Sequence, residues 1–150
     1  MPKIYLVAEH NGLRLKKYIL QNAAKFNLEI IDLHPSFDPL DDYPIVATIL
    51  AQKMRLETHC FGVAICGSGQ GICIALNRFS HIRAANTSGV IDAANVRSDD
   101  NANVICLSGR VLDFELALDV VNTFVNTQFA NLPRYQRRVE QLGQMGVQFQ

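Results

Sequence analysis

The chain has 150 residues, enough for one domain that buries roughly 68–70% of its unfolded surface without a disulfide or metal staple. A composition that is 49% hydrophobic and 19% charged excludes a disordered tail, a collagen-like chain and a coiled coil. Fourteen basic side chains offset fourteen acidic ones, and this +0 balance argues against broad nucleic-acid or anionic-membrane binding.

Residues 4–8 are a short continuous apolar run, the pattern of a strand buried on both faces. The run is too short for a signal-peptide core or a membrane span. Residues 13–26 follow with helical periodicity, Leu13, Tyr18, Ile19, Ala23 and Phe26 sharing one broad face. Residues 28–33 are β-rich and stop at His34-Pro35. The Pro- and Asp-rich stretch 35–42 reads as a loop. A second helix is expected over 43–55, a buried strand over 61–66 and a helix over 71–78. Then come a short strand over 82–86, a helix over 90–96, a strand over 104–107 and a long helix over 114–129. The last helix, 134–142, closes at Gly143 as its C′ residue.

Strand and helix alternate about five times, which predicts an α/β fold with a parallel sheet. No repeat or composition shift marks a boundary, so 1–150 reads as one domain. Ligands of open parallel sheets bind beyond the carboxyl ends of the strands. That rule selects Glu9-His10, His34, 66–71, 86–88 and 108–110.

The strongest motif is Cys66-Gly67-Ser68-Gly69-Gln70-Gly71, between a buried strand and a helix. Its glycines are costly in chain entropy and serve where backbone needs positive φ or must approach a ligand. Backbone N–H groups in such a turn attract anionic oxygen. The Gly-Lys-Ser/Thr ending of a Walker loop is absent, and the third glycine comes too early for G-x-G-x-x-G. The plain alternative is a tight strand-to-helix connection. Cys66, at the strand end beside this electropositive turn, is placed as a thiolate nucleophile or base. Cys60, Cys73 and Cys106 read as packing; no C-x-x-C spacing points to zinc, and free thiols in a reducing cytoplasm are expected. Glu9-His10 offers a carboxylate beside an imidazole for proton movement, or simply a helix cap. Arg134 and Arg138 share a helical face and Arg110 follows a strand end, an arrangement suited to phosphate or to plain surface charge. Residues 99–103 are polar enough to be a turn near a strand start.

In order and spacing these residues, with Asp42-Tyr43-Pro44, Asn77-Arg78, Asn101-Ala102-Asn103-Val104 and Gly109-Arg110-Val111, resemble the ribose-5-phosphate isomerase B family, which includes the galactose-6-phosphate isomerase subunits. The resemblance runs from Ile4 to about Leu142. It implies a Rossmann-like three-layer α/β/α sandwich with a five-stranded parallel sheet, and a homodimer or dimer of dimers with sites between subunits. It implies aldose–ketose isomerisation of a sugar phosphate without metal or cofactor. Cys66 takes the place of the base that moves a proton from C2 to C1 through a cis-enediolate. Ser68 and the backbone of Gly67, Gly69 and Gly71 take that of its anion hole. His10, Arg110, Arg134 and Arg138 match phosphate and substrate contacts, and Tyr43 matches a residue lining the site. Glu9 stands where the family has Asp and would assist at substrate hydroxyls. Asp99 stands at the ring-opening His, with Asp100 beside it at a substrate-binding position, and Tyr135 replaces a His. The expectation is a cytoplasmic ribose 5-phosphate isomerase. The alternatives are an isomerase of a six-carbon phosphate such as galactose or allose 6-phosphate, and a sugar-phosphate-binding homologue with impaired catalysis.

Overall fold

The computed structural model describes residues 1–146; the ends of the expected domain, 147–150, lie outside the described residues. Strand β1 (Lys3–Ala8) leads through a 3-10 turn into helix α1 (Leu13–Asn22). There follow β2 (Ile30–Asp32), α2 (Tyr43–Leu56), β3 (Cys60–Cys66), α3 (Gln70–Leu76), β4 (Ala84–Asn86), α4 (Val90–Asp100), β5 (Val104–Ser108), α5 (Phe114–Asn126) and α6 (Pro133–Gln144). The five strands form one parallel sheet in the order β2-β1-β3-β5-β4. The expected α/β architecture is therefore present.

Period-two alternation along each strand builds two cores. On β3, Val63 and Ile65 point into one core with Leu15, Ile19, Ala93, Ala117 and Phe124 of α1, α4 and α5. Ala64 and Cys66 point into the other with Val46, Leu50, Ile72 and Leu76 of α2 and α3. The sheet is thus the middle layer of three. Because β1 neighbours both β2 and β3, the chain leaves β1 in opposite directions. The crevice of a topological switch point opens at the carboxyl ends of β1 and β3.

Several boundaries differ from expectation. The 13–26 helix divides: α1 stops at Asn22, a 3-10 turn covers Ala23–Phe26, and Asn27 closes it with φ 55°. Helix α4 runs on to Asp100, so Asp99 and Asp100 lie in its last turn and not in a loop. Asn101, at φ 50°, ends it by donating its N–H to Val96 O. Arg97 fastens the same end: its guanidinium donates to Asn101 Oδ1 at 2.8 Å and Ala102 O at 2.7 Å, and it stands 4.9 Å from the Phe61 ring centroid. Helix α5 ends at Asn126 and not at residue 129. Gly143 is inside α6; the positive-φ glycine is Gly146, at 81°, because the helical hydrogen bonding carries through Gln144. Arg97→Met removes these donors and leaves the Ala102 carbonyl buried and unpaired. The expected loss is about 2–3 kcal/mol, measured from denaturant midpoints.

Candidate active site

The turn from β3 to α3 holds several of the expected site residues. Cys66 is buried, and its Sγ accepts the Gly69 N–H at 3.1 Å. That contact depends on Gly69 at φ +77°, a left-handed conformation in which a side chain is strained. Ser68 is exposed; its Oγ accepts the Gln70 N–H at 3.1 Å, which leaves its O–H free to donate outward.

The neighbouring strand ends are stitched to this turn. Gly109 N–H donates to Cys66 O at 2.8 Å, and Ser108 Oγ donates to Gly67 O at 2.7 Å. The Arg110 guanidinium lies directly over Gly67: a Cβ there would come within 2.9 Å of Arg110 Cζ. The Tyr43 ring covers Gly71 in the same way, 2.9 Å from where a Cβ would stand. A thiol, a turn of N–H donors, a hydroxyl and a guanidinium thus meet at one strand end. This gathers Cys66, Gly67, Ser68, Gly69, Gly71, Tyr43 and Arg110.

At the adjoining end of β1, Glu9 N–H donates to Ile65 O at 3.0 Å, which places residues 9–12 beside β3. The Glu9 carboxylate is buried and caps the 3-10 turn by accepting Asn11 N–H at 2.8 Å. It is therefore both a cap and a buried carboxyl group. His10 Nδ1 stands 3.1 Å from Glu9 Oε2 and 2.7 Å from Asp41 Oδ1. The Asp41 hydrogen bond is the main cause that raises His10 above its usual 6.5, against partial burial. Burial pushes the Asp41 carboxyl up, but hydrogen bonds from the His10 side chain and backbone and from His34 outweigh it and leave it lowered. A raised His10 stabilises the fold below pH 6.5 and loses that contribution as pH rises through its raised value. A lowered Asp41 contributes above 3.8 and loses it in acid. Glu9, His10 and Asp41 bring donor atoms within 4.8 Å of one another, as a metal site would. His10 Nδ1 lies between the two carboxyl groups, and the three side chains form one close polar network.

Sequence reasoning missed Asp41. Its signal was weak, since Asp38, Asp41 and Asp42 share one loop and nothing in their spacing says which turns inward. His34 was marked only by its strand end.

Four expected site residues stand apart from this cluster within one chain. Asp99 and Asp100 end α4, next to the amino end of β5. Arg134 and Arg138 lie on α6 around the Tyr135 ring, at 4.7 and 6.0 Å from its centroid, and are exposed. Among the described residues, none of the four bonds to Glu9, His10, Cys66, Ser68 or Arg110. A cavity of about 1000 Å³ also lies away from Cys66, between Arg78, Arg83, Asp100 and Leu142. Among the described residues no helix is long and apolar enough to cross a membrane.

Residues 4–142 match the model of the family described as Ribose/Galactose Isomerase. A protein of Mycoplasma pneumoniae named probable ribose-5-phosphate isomerase B is 40% identical over 91% of this chain and 90% of its own length. The crystal structure of ribose-5-phosphate isomerase B from Mycoplasma genitalium with bound ribulose-5-phosphate superposes with a TM-score of 0.86 at 35% identity, covering 95% of this chain and 94% of that one. Ribose-5-phosphate isomerase B of Clostridium thermocellum gives 0.90 at 32% identity, over 99% of both chains. Fold, turn motif and relatives agree, and the chain belongs to the ribose/galactose isomerase family.

Proposed function

We propose that this chain is a single-domain aldose–ketose isomerase that interconverts ribose 5-phosphate and ribulose 5-phosphate without metal or cofactor. The observation that carries the reading is the Cys66 turn, where the thiol, its Gly69 N–H and the Arg110 guanidinium lie together. The Cys66 thiolate removes the proton from C2 of the open-chain aldose. The C2–H electrons form the enediolate double bond, and the C1 carbonyl oxygen takes the negative charge. Ser68 O–H and the N–H groups of the glycine turn stabilise that oxygen; fixed donors aimed at developing charge lower the barrier most. After the hydroxyl proton passes from O2 to O1, assisted by Glu9, Cys66 returns its proton to C1 and leaves a ketone at C2. His10 and Arg110 hold the phosphate, and Tyr43 closes one wall.

We propose further that the working unit is a homodimer. Tyr43, Ile45 and Ile74 leave apolar surface exposed on α2 and α3 beside the site. Arg134, Arg138, Asp99 and Asp100 complete the site from a second copy, the arginines on the phosphate and Asp99 at the ring oxygen, with Asp100 beside it. The four cysteines are all free, in keeping with a reducing cytoplasm.

The test is exchange of the C2 proton with deuterated solvent over a panel of sugar phosphates, with the oligomer measured by light scattering. Exchange and net conversion are expected with ribose 5-phosphate. Activity confined to galactose or allose 6-phosphate moves the substrate to six carbons, a reading favoured by Asp99 in place of a histidine. Binding without exchange makes the protein a non-catalytic homologue.

A further inference from the structure

Two histidines share one carboxylate at the rim of the site. Asp41 Oδ1 accepts the His10 backbone N–H at 2.9 Å and faces the His10 ring Nδ1 at 2.7 Å. Its other oxygen, Oδ2, faces His34 Nε2 at 3.1 Å. The Asp41 side chain is only 10% exposed, so little water competes for these contacts. Glu9 Oε2 stands 3.1 Å from the same Nδ1 and is itself buried.

A ring nitrogen set between two carboxylate oxygens must carry hydrogen, because a lone pair there would face two negative charges. Nδ1 of His10 is therefore N–H in both states of the ring, and Nε2 is the nitrogen that gains or loses the proton. Nε2 lies 3.2 Å from Asn11 Nδ2, which can donate to it when the ring is neutral and also reaches Glu9 Oε2 at 3.4 Å. The charged groups that face the ring come from two places. Glu9 directly follows β1. Asp41, with His34 behind it, comes from the β2–α2 connection.

We propose that Asp41 is a positioning residue for the isomerase reaction: it holds the His10 ring as the imidazolium and fixes its plane, so that the Nε2–H of the protonated ring is the donor presented to the substrate phosphate, while His34 holds Asp41 in place. The proposal rests on His10 being a substrate contact. A protein ring held this way keeps its donor to higher pH than a free imidazole and spends no orientation entropy when substrate arrives.

The experiment pairs nitrogen NMR of the histidine rings, without substrate, with steady-state kinetics across pH. In Asp41→Asn the His10 titration is expected to move to lower pH. KM for ribose 5-phosphate should rise about tenfold at neutral pH, with its pH break displaced the same way and kcat within about threefold. Asp41→Glu should recover much of both effects. An unmoved His10 titration in a folded Asp41→Asn protein overturns the proposal. So does a shifted titration with KM unchanged at every pH. A wild-type protein that converts no sugar phosphate is instead the failure of the isomerase reading, and it is recorded before any variant is made.

Discussion

Cys66→Ala is expected to lower kcat by about a hundred- to ten-thousandfold, the range a positioned base contributes. C2 exchange should vanish with it, and KM should change little. The substitution removes one sulfur from a buried turn whose shape is set elsewhere. Gly109 N–H still reaches the residue 66 carbonyl, Ser108 still holds Gly67 O, and Gly69 keeps its left-handed φ. Thermal unfolding should therefore move only by the cost of a small buried void, about 1 kcal/mol. Near-normal turnover in this variant would remove Cys66 from the role of base. Cys66→Ser is the companion: a hydroxyl accepts the Gly69 N–H but is a far weaker base at neutral pH, so it should stay close to Ala in rate.

Gly69→Ala attacks the donor side of the same turn. The left-handed backbone costs a residue with Cβ roughly 1–2 kcal/mol. The new methyl would also meet Leu107 C at 3.0 Å and Ser108 N at 3.1 Å, backbone atoms of a central strand that cannot step aside. The turn must shift, and with it the N–H that points at Cys66 Sγ. Loss of one aimed donor costs about 10²–10³ in kcat at comparable sites. The expected signature is a hundredfold or greater fall in kcat with a melting temperature lower by several degrees. Gly143→Ala is the control: nothing lies within 4 Å of a Cβ there, the backbone is helical, and the variant should be as active as the parent and at least as stable. Equal turnover in Gly69→Ala and Gly143→Ala would show that the turn's geometry does not set the rate.

The sequence showed the strand–helix alternation because β1, β3 and β5 are short buried runs, and α1, α2 and α5 each bury an apolar face. It did not show where elements end. Residues 97–100 read Arg-Ser-Asp-Asp and favour a turn by local preference, yet they are helical. Tertiary contacts decide: Arg97 is stacked on aromatic rings and bonded to carbonyls beyond the helix, and Asn101 takes the left-handed cap. Asn27 ends the first helical segment by the same device. At the site, the Cys66 turn was legible because three glycines in five residues need a backbone reason. Asp41 was not, because its importance comes from contacts with His10 and His34, 31 and 7 residues away. Arg134 and Arg138 were legible as a pair on one face, and the structure leaves both exposed on α6 around the Tyr135 ring.

The alternation along β3 also governs how the chain can change length. Every second residue of Cys60–Cys66 faces the other core, so one residue gained or lost inside the strand would exchange the two sets of side chains. The thiol would then lie under α1 and α5, sealed from any sugar. An insertion in residues 35–40 meets no such rule, since that loop can lengthen while Asp41 stays anchored on His10. Relatives that differ in size should therefore differ in that loop and keep the count of residues through β3 unchanged.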